Sequence, residues 1–365
     1  MKQAFLELIC CPACQSALEL HSEQELDGEI WQGKLSCQKC SMVYPLENGM
    51  PLLYVDDEKW MPKAREAAGW VTHLKNLNLY DPERDGIDYV APDFPAEPWL
   101  RIKNSFDTAL EELKLTGKET ILDLGAGNGW AAKNLALTGC TVVALDITAD
   151  KNVGLGRAKA LMNKAGTYFD RIIGDGENLP FHPNTFDVVF CCGSIHHSSD
   201  IPLLMANIGR ILKPNGRLCA INEPCIDVLA NEQRVLAAGT AEELALGINE
   251  NRPNLIGYAT SLWQNGFEIL TAFPSQSTDK SPERITMWAY NLNATWRGWP
   301  YKGLRSFIGE SLRFGKREVK AFILNGLPYI KVRLNSPKEE TARKLWAVLL
   351  WCNTELILLA RKTEA

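Results

Sequence analysis

The chain has 365 residues, of which 46% are hydrophobic and 23% charged, with a formal net charge of −5. This composition is typical of a globular protein with one large domain and accessory units, and it argues against disorder. The acidic balance provides no broad basic surface, so RNA is disfavoured as a partner. Because no secretory signal opens the chain and no apolar run is long enough for a membrane span, we expect a cytoplasmic location.

Two pairs of cysteines, each spaced C-x2-C, lie near the start of the chain and are separated by 22 residues. Four thiolates at this spacing suit a closed tetrahedral zinc site, which has a structural role. Cys10 is at the wrong spacing from Cys14, so we leave it out of the ligand set. The alternative to a zinc site is that these cysteines are reduced and bind no metal. We predict a zinc module over residues 1–55 with these ligands: Cys11, Cys14, Cys37 and Cys40.

Residues 56–98 are acidic and rich in proline, which indicates a linker with some helix that covers the next domain. Residues 99–272 then alternate apolar strands with helical patterns, and this order is typical of parallel βαβ units. Residues 273–338 look like an insertion. Residues 339–365 supply a last helix and strand, so the predicted fold is α/β, a doubly wound, mostly parallel sheet of seven strands.

A glycine-rich loop follows the first strand of this domain, Thr120–Leu124, and leads into a helix. Glycines at such a turn let the backbone approach a ligand closely, and the amides at the helix start point at it. The glycines of this loop are spaced as G-x-G-x-G, whereas the G-x-G-x-x-G spacing suits a pyrophosphate. The acid Asp123 precedes them. The loop residues that we expect to contact a ligand are Asp123, Gly125, Ala126, Gly127 and Gly129.

Two further acids end the second and third strands of the domain. Asp146 lies about 20 residues beyond the loop, where a carboxylate can accept hydrogen bonds from ribose hydroxyls. Asp175 precedes Gly176 at the end of the third strand. Because the carboxyl ends of parallel strands face one crevice, we expect Asp123, Asp146 and Asp175 to converge there.

Together these stretches resemble the class I S-adenosylmethionine-dependent methyltransferases, in particular the methyltransferase type 11 group, over Thr120 to about Asn222. The resemblance implies a Rossmann-like methyltransferase fold with S-adenosylmethionine as cofactor. It also implies that Gly125 and Gly127 underlie the methionine part, that Asp146 holds the ribose and that Asp175 meets the adenine amine.

Two histidines, His196 and His197, follow the fourth strand at the end where an acceptor should enter. An imidazole titrates near neutral pH and could take a proton from an acceptor hydroxyl, so these are the candidate catalytic residues. The alternative is that they cap the next helix or shape the pocket. In the insertion, Trp296 and Trp299 belong to an aromatic cluster that fits an acceptor lid, a subdomain core or a dimer surface.

The N-terminal module is similar to the zinc-ribbon family that includes the activator subunit of several RNA and protein methyltransferases, through Leu8–Cys14 and Tyr44–Leu53. The sequence therefore predicts a methyltransferase that acts on a small or medium-sized acceptor through an oxygen, nitrogen or carbon atom. One alternative is an RNA base methyltransferase with a zinc module. Another is a non-catalytic scaffold or activator that works through the ribbon.

Overall fold

The computed structural model describes residues 1–77, 86–275, 319–324, 326–327 and 354–364. The strands are β1 Leu18–Leu26, β2 Glu29–Cys37, β3 Val43–Glu47, β4 Met50–Leu53, β5 Thr120–Leu124, β6 Thr141–Asp146, β7 Asp170–Gly174, β8 Phe186–Cys192, β9 Leu212–Cys225, β10 Phe267–Pro274 and β11 Thr354–Lys362. The helices are α1 Trp60–Asn76, α2 Ile87–Val90, α3 Trp99–Leu113, α4 Trp130–Leu137, α5 Ala158–Ala165, α6 Ile201–Ile211, α7 Glu232–Gly239, α8 Ala241–Ala245 and α9 Leu255–Gln264.

The central sheet is built from β5 onwards in the order β7-β6-β5-β8-β9-β11-β10. Its first five strands are parallel, and β11 runs antiparallel between β9 and β10. Strands such as β6 are continuous apolar runs because helices cover both faces of the sheet. The prediction of a doubly wound, mostly parallel α/β fold is confirmed.

The strand count differs from the prediction, because the described sheet has eleven strands and not seven. The four extra strands come from the N-terminal module, whose meander β1-β2-β3-β4 continues the central sheet. The junction is a parallel pairing of β4 with β7, in which Leu52 lies opposite Ile173. Sequence patterns within each segment do not reveal an edge pairing between segments about 120 residues apart.

The N-terminal module and the central domain also share one hydrophobic core. Buried Phe5 and Leu53 belong to the same cluster as Leu145 and Phe181. The Cys10 amide donates to the carbonyl of Pro180 at 2.9 Å, which joins the two backbones directly. The first 55 residues therefore pack against the sheet rather than around a core of their own.

A buried ion pair reinforces this contact. Glu29 of β2 lies 3.2 Å from the guanidinium of Arg171 in β7, and both side chains are almost fully buried. Lys159 of α5 also pairs with Glu29. A charge buried in this way is stable only while its partner stays in place, so the ion pair favours one arrangement of the two units.

Helix α1 replaces part of the predicted linker and lies over the carboxyl ends of the strands, where several of its side chains reach the cavity described below. No helix in the described part of the chain is long and apolar enough to cross a membrane. The aromatic cluster with Trp296 and Trp299, and the predicted helix 339–346, lie outside the described residues.

Candidate functional site

A cavity of about 320 Å³ opens at the carboxyl ends of β5, β6, β7 and β8. Most of the predicted ligand-contacting residues line it together: Asp123, Gly125, Ala126, Gly127, Asp146, Asp175, Gly176 and His197. Gly129 and His196 are not among the lining residues. Gly129 precedes α4 and faces the ring of Phe169, so it contributes to packing behind the loop.

Gly125 is required for two separate reasons. Its φ is +73°, in the region that L side chains rarely adopt, and a Cβ at this position would lie 2.4 Å from the Cβ of Ser194. The Ser194 hydroxyl donates to the carbonyl of Leu124 at 2.8 Å. The glycine loop is thus held against the turn that follows β8, and a side chain at residue 125 would separate them.

Asp123 is the penultimate residue of β5, beneath the loop, and is 1% exposed. One of its carboxylate oxygens accepts a hydrogen bond from the Ala132 amide in α4 at 2.9 Å. Burial raises the pKa of Asp123 to about 7, and the nearby Asp146 charge also raises it. A buried carboxyl with a pKa near neutrality favours a cationic partner, because the partner's charge replaces the lost hydration.

Asp146 at the end of β6 is fixed by two backbone amides. Its carboxylate oxygens accept from Gly127 and from Thr148, each at 2.8 Å. Burial raises its pKa to about 6, although these hydrogen bonds act in the opposite direction. Each oxygen retains a second lone pair, so the carboxylate can still accept hydrogen bonds from a diol in the cavity.

Asp175 begins a short 3-10 turn, Gly176–Asn178, and accepts a hydrogen bond from the Glu177 amide at 2.9 Å. Burial raises its pKa. The next acid, Glu177, binds Lys63 of α1 at 2.9 Å. Burial opposes ionisation of Glu177, but Lys63 and Ser199 lower its pKa overall, so this pair is ionic and ties α1 to the sheet.

Sequence reasoning missed the contribution of α1. Lys63, Glu66 and Trp70, spaced three and four residues apart on one face of α1, line the cavity. Burial raises the pKa of Glu66 to about 7. The sequence predicts some helix within residues 56–98, but proline-rich flanks and a polar composition concealed where it lies and that one of its faces reaches the cavity.

The turn after β8, residues 194–198, is organised by Glu223 of β9, which is fully buried. Its carboxylate accepts hydrogen bonds from the amides of Ser194, Ile195 and His196 at 2.8, 2.9 and 3.2 Å. A carboxylate that binds three successive amides fixes the path of the backbone. Sequence reasoning also missed Glu223, since no local pattern connects it with a turn that lies much earlier in the chain.

The turn places its two histidines in different surroundings. The His197 ring lines the cavity edge-on to Trp70, with centroids 5.1 Å apart. Burial lowers the pKa of His197 well below its usual value, so this imidazole is neutral. The His196 ring lies behind it, with Nδ1 2.9 Å from Glu223.

The four predicted zinc ligands converge at the start of the chain. The sulfur atoms of Cys11 and Cys40 are 3.5 Å apart, those of Cys14 and Cys37 are 3.4 Å apart, and all four lie within 4.8 Å of one another. Zinc–sulfur bonds of about 2.3 Å place tetrahedral sulfurs roughly 3.8 Å apart, so the cluster fits a closed site. Cys10 lies outside it, with its thiol directed to Gln15.

Two family models match this chain. Residues 122–220 match a family described as a methyltransferase domain, and residues 2–49 match the Trm112p-like protein family. The first match contains the glycine loop, the acids and the histidine turn. The second contains the four cysteines.

Curated relatives align mainly with the central domain. A glycine/sarcosine/dimethylglycine N-methyltransferase of Actinopolyspora halophila is 37% identical over 108 residues, covering 29% of this chain and 19% of that protein. A demethylmenaquinone methyltransferase of Corynebacterium kroppenstedtii is 34% identical over 116 residues, covering 31% and 46%. The chain thus spans less than half the length of either relative.

One chain of a solved complex between the Haloferax volcanii Trm112 methyltransferase activator and a methyltransferase is also similar. Its TM-score is 0.45 at 17% identity, and the superposition covers 78% of this chain and 96% of that one.

Proposed function

We propose that this chain is an S-adenosylmethionine-dependent methyltransferase with a small or medium-sized acceptor, because residues 122–220 match a methyltransferase domain and residues 2–49 match the Trm112p-like family. The observation that carries the proposal is the convergence of the glycine loop with Asp123, Asp146 and Asp175 on one cavity. Curated relatives over the same segment include methyltransferases named for glycine derivatives and for demethylmenaquinone.

Each acid has a natural counterpart in this cofactor. Asp146, fixed by two amides, would accept hydrogen bonds from the ribose hydroxyls. Asp175 would meet the adenine amine, and Asp123 would balance the ammonium of the methionine part. The backbone of Gly125 and Gly127 would lie beneath that part, because neither residue presents a side chain to it.

The bound cofactor supplies a methyl group on a sulfonium, and the carbon–sulfur bond breaks as the acceptor's lone pair bonds to the methyl carbon. The protein's main task is alignment of the two reactants, together with exclusion of water by α1. The acceptor must also lose a proton if it reacts through a hydroxyl. We place control of that proton at the histidine pair, since His197 lines the cavity.

A transfer assay tests the proposal and separates its rivals. The full-length protein is incubated with S-adenosylmethionine carrying a labelled methyl group, together with fractionated small metabolites or with total RNA. We expect label in the small-molecule fraction. Label that appears in RNA, together with RNA binding that weakens steeply with salt, would favour the RNA enzyme. Absence of label from every fraction would favour a scaffold.

A further inference from the structure

The charged side chains around the cavity are unequally balanced. Among the described lining residues the one ammonium group belongs to Lys63, and it pairs with Glu177 at 2.9 Å. The imidazole of His197 is neutral, because burial lowers its pKa well below the usual value. The other charged residues in the described lining are all acids: Glu66, Asp123, Asp146 and Asp175. The proposed cofactor uses the three aspartates, so Glu66 is the acid that remains without a role.

Glu66 projects from α1 into the cavity wall and is 4% exposed. The backbone amide of Asn249 donates a hydrogen bond to its carboxylate. The carbonyl of the same asparagine accepts a hydrogen bond from Nδ1 of His197 at 2.6 Å. The backbone of Asn249 therefore bridges Glu66 and His197. This places the Glu66 carboxylate beside the turn after β8, where the sequence predicts that an acceptor enters.

Trp70 lies one helical turn beyond Glu66 on the same face of α1 and also lines the cavity. Its ring meets that of His197 edge-on, with centroids 5.1 Å apart. Leu74, another turn along α1, continues the lining. The carboxylate can neutralise a cation, while the indole and the leucine side chain contact its apolar substituents. An indole ring also attracts an ammonium group through its π electrons.

We propose that Glu66 and Trp70 form the acceptor subsite and that the acceptor is an amine, which binds as an ammonium ion. This inference rests on the proposed function and names the substrate class for the same cavity. The acidic lining repels an acceptor that carries a carboxylate or phosphate near its reacting atom. A neutral hydroxyl would leave the buried Glu66 charge uncompensated, whereas an ammonium compensates it.

An ammonium ion must lose a proton before its nitrogen can react. The Glu66 carboxylate takes that proton, and the nitrogen lone pair bonds to the methyl carbon as the carbon–sulfur bond breaks and its electrons pass to sulfur. Burial raises the pKa of Glu66 to about 7, although Lys63 acts in the opposite direction, so the proton can pass near neutral pH. The product leaves as a methylated ammonium, and Glu66 releases its proton to solvent. For an amine, the base is then Glu66 and not a histidine.

The test is a calorimetric titration of full-length protein saturated with S-adenosylhomocysteine, at pH 7, with probes of similar shape. Benzylamine is the cation, benzyl alcohol the neutral compound and benzoate the anion. We expect benzylamine to bind at least about tenfold more tightly than the other two. Glu66→Gln keeps the size of the side chain and should weaken benzylamine binding by about tenfold or more, with little change for benzyl alcohol. Trp70→Leu should weaken benzylamine binding about three- to tenfold.

Glu58→Gln is the matched control, because this glutamate is exposed just before α1 and does not line the cavity. It should bind all the compounds as the wild type does. The proposal is overturned if the wild type binds no benzylamine, or binds benzyl alcohol or benzoate equally well. It is also overturned if Glu66→Gln keeps the preference for benzylamine.

Titration with S-adenosylhomocysteine alone, on the same samples, separates this inference from the proposed function. Glu66→Gln should bind S-adenosylhomocysteine nearly as the wild type does, which also shows that the variant is folded. If Glu66→Gln weakens this binding as much as it weakens benzylamine binding, Glu66 belongs to the cofactor site and the inference is wrong. If the wild type itself binds no S-adenosylhomocysteine, the proposed function fails.

Discussion

In the proposed function, cofactor recognition depends most directly on Asp146. Two amides hold its carboxylate at the end of β6, so its position is set before any ligand binds. Asp146→Asn keeps the size but removes the charge and half of the acceptor capacity. Hydrogen bonds to a charged group contribute about 1.5–3 kcal/mol, so we predict roughly ten- to hundredfold weaker binding of S-adenosylhomocysteine by calorimetry.

Asp27→Asn serves as the control for this variant, because Asp27 is exposed in the turn between β1 and β2. It should bind the ligand as the wild type does. If Asp146→Asn and the wild type bind S-adenosylhomocysteine equally well, Asp146 does not hold the ribose.

The same acids predict how cofactor binding depends on pH. Burial raises the pKa of Asp123 to about 7 and that of Asp146 to about 6 in the ligand-free protein. A cationic ligand binds the ionised forms better, so binding lowers both pKa values and releases protons. Affinity for S-adenosylmethionine should therefore rise between about pH 5.5 and 8.

Calorimetry in buffers of different ionisation enthalpy measures the number of protons released. If Asp146→Asn releases fewer protons on ligand binding than the wild type, part of the proton release belongs to Asp146. Affinity that is flat or falls as pH rises would contradict the account.

At the scale of elements, helix α1 depends on a glycine in its interior. A Cβ on Gly69 would lie 2.5 Å from the carbonyl oxygen of Leu246, which follows α8. In an unconstrained helix, glycine to alanine stabilises by about 1 kcal/mol. Here we predict the reverse: Gly69→Ala should lower the melting temperature and weaken cofactor binding, because it displaces Lys63 and Glu66.

Thermal unfolding and S-adenosylhomocysteine titration check this prediction, with Ala64→Ser on the exposed side of α1 as the control. A stabilised Gly69→Ala protein with unchanged affinity would show that α1 is not held closely against residues 241–247.

Local patterns were sufficient to predict most elements around the site. The strand ends near Asp123, Asp146 and Asp175 were predictable, because each of these acids closely follows apolar residues and parallel strands end at one edge. Some helix was predicted within residues 56–98, but the place of α1 at the cavity was not, since it depends on tertiary partners such as Glu177. Lys213–Gly216 contains the turn-forming residues proline, asparagine and glycine, yet it forms an irregular part of β9 with Asn215 at positive φ.

At the scale of the whole molecule, the N-terminal module and the central domain share one sheet and one hydrophobic cluster. The four cysteines were predictable from spacing alone, because a metal site constrains residue type and distance along the chain. The pairing of β4 with β7 and the Glu29–Arg171 contact were not, because they join residues distant in sequence and leave no local periodicity.

This continuity predicts the effect of removing zinc. Metal loss removes the constraint on the four thiols, and the disturbance should extend through β4 and the shared core to β7. We predict that a strong chelator lowers the melting temperature of the full-length protein while unfolding remains a single calorimetric transition. A separate early transition for the ribbon, with the main transition unchanged, would show that the two units unfold independently.

The proposed function depends above all on binding of S-adenosylmethionine in the cavity. Calorimetric titration of the full-length protein with S-adenosylhomocysteine tests it most directly, since this ligand contains the adenosine and amino acid parts and needs no acceptor. The account predicts one site per chain with micromolar or tighter affinity. A folded protein that binds neither S-adenosylhomocysteine nor S-adenosylmethionine would contradict it.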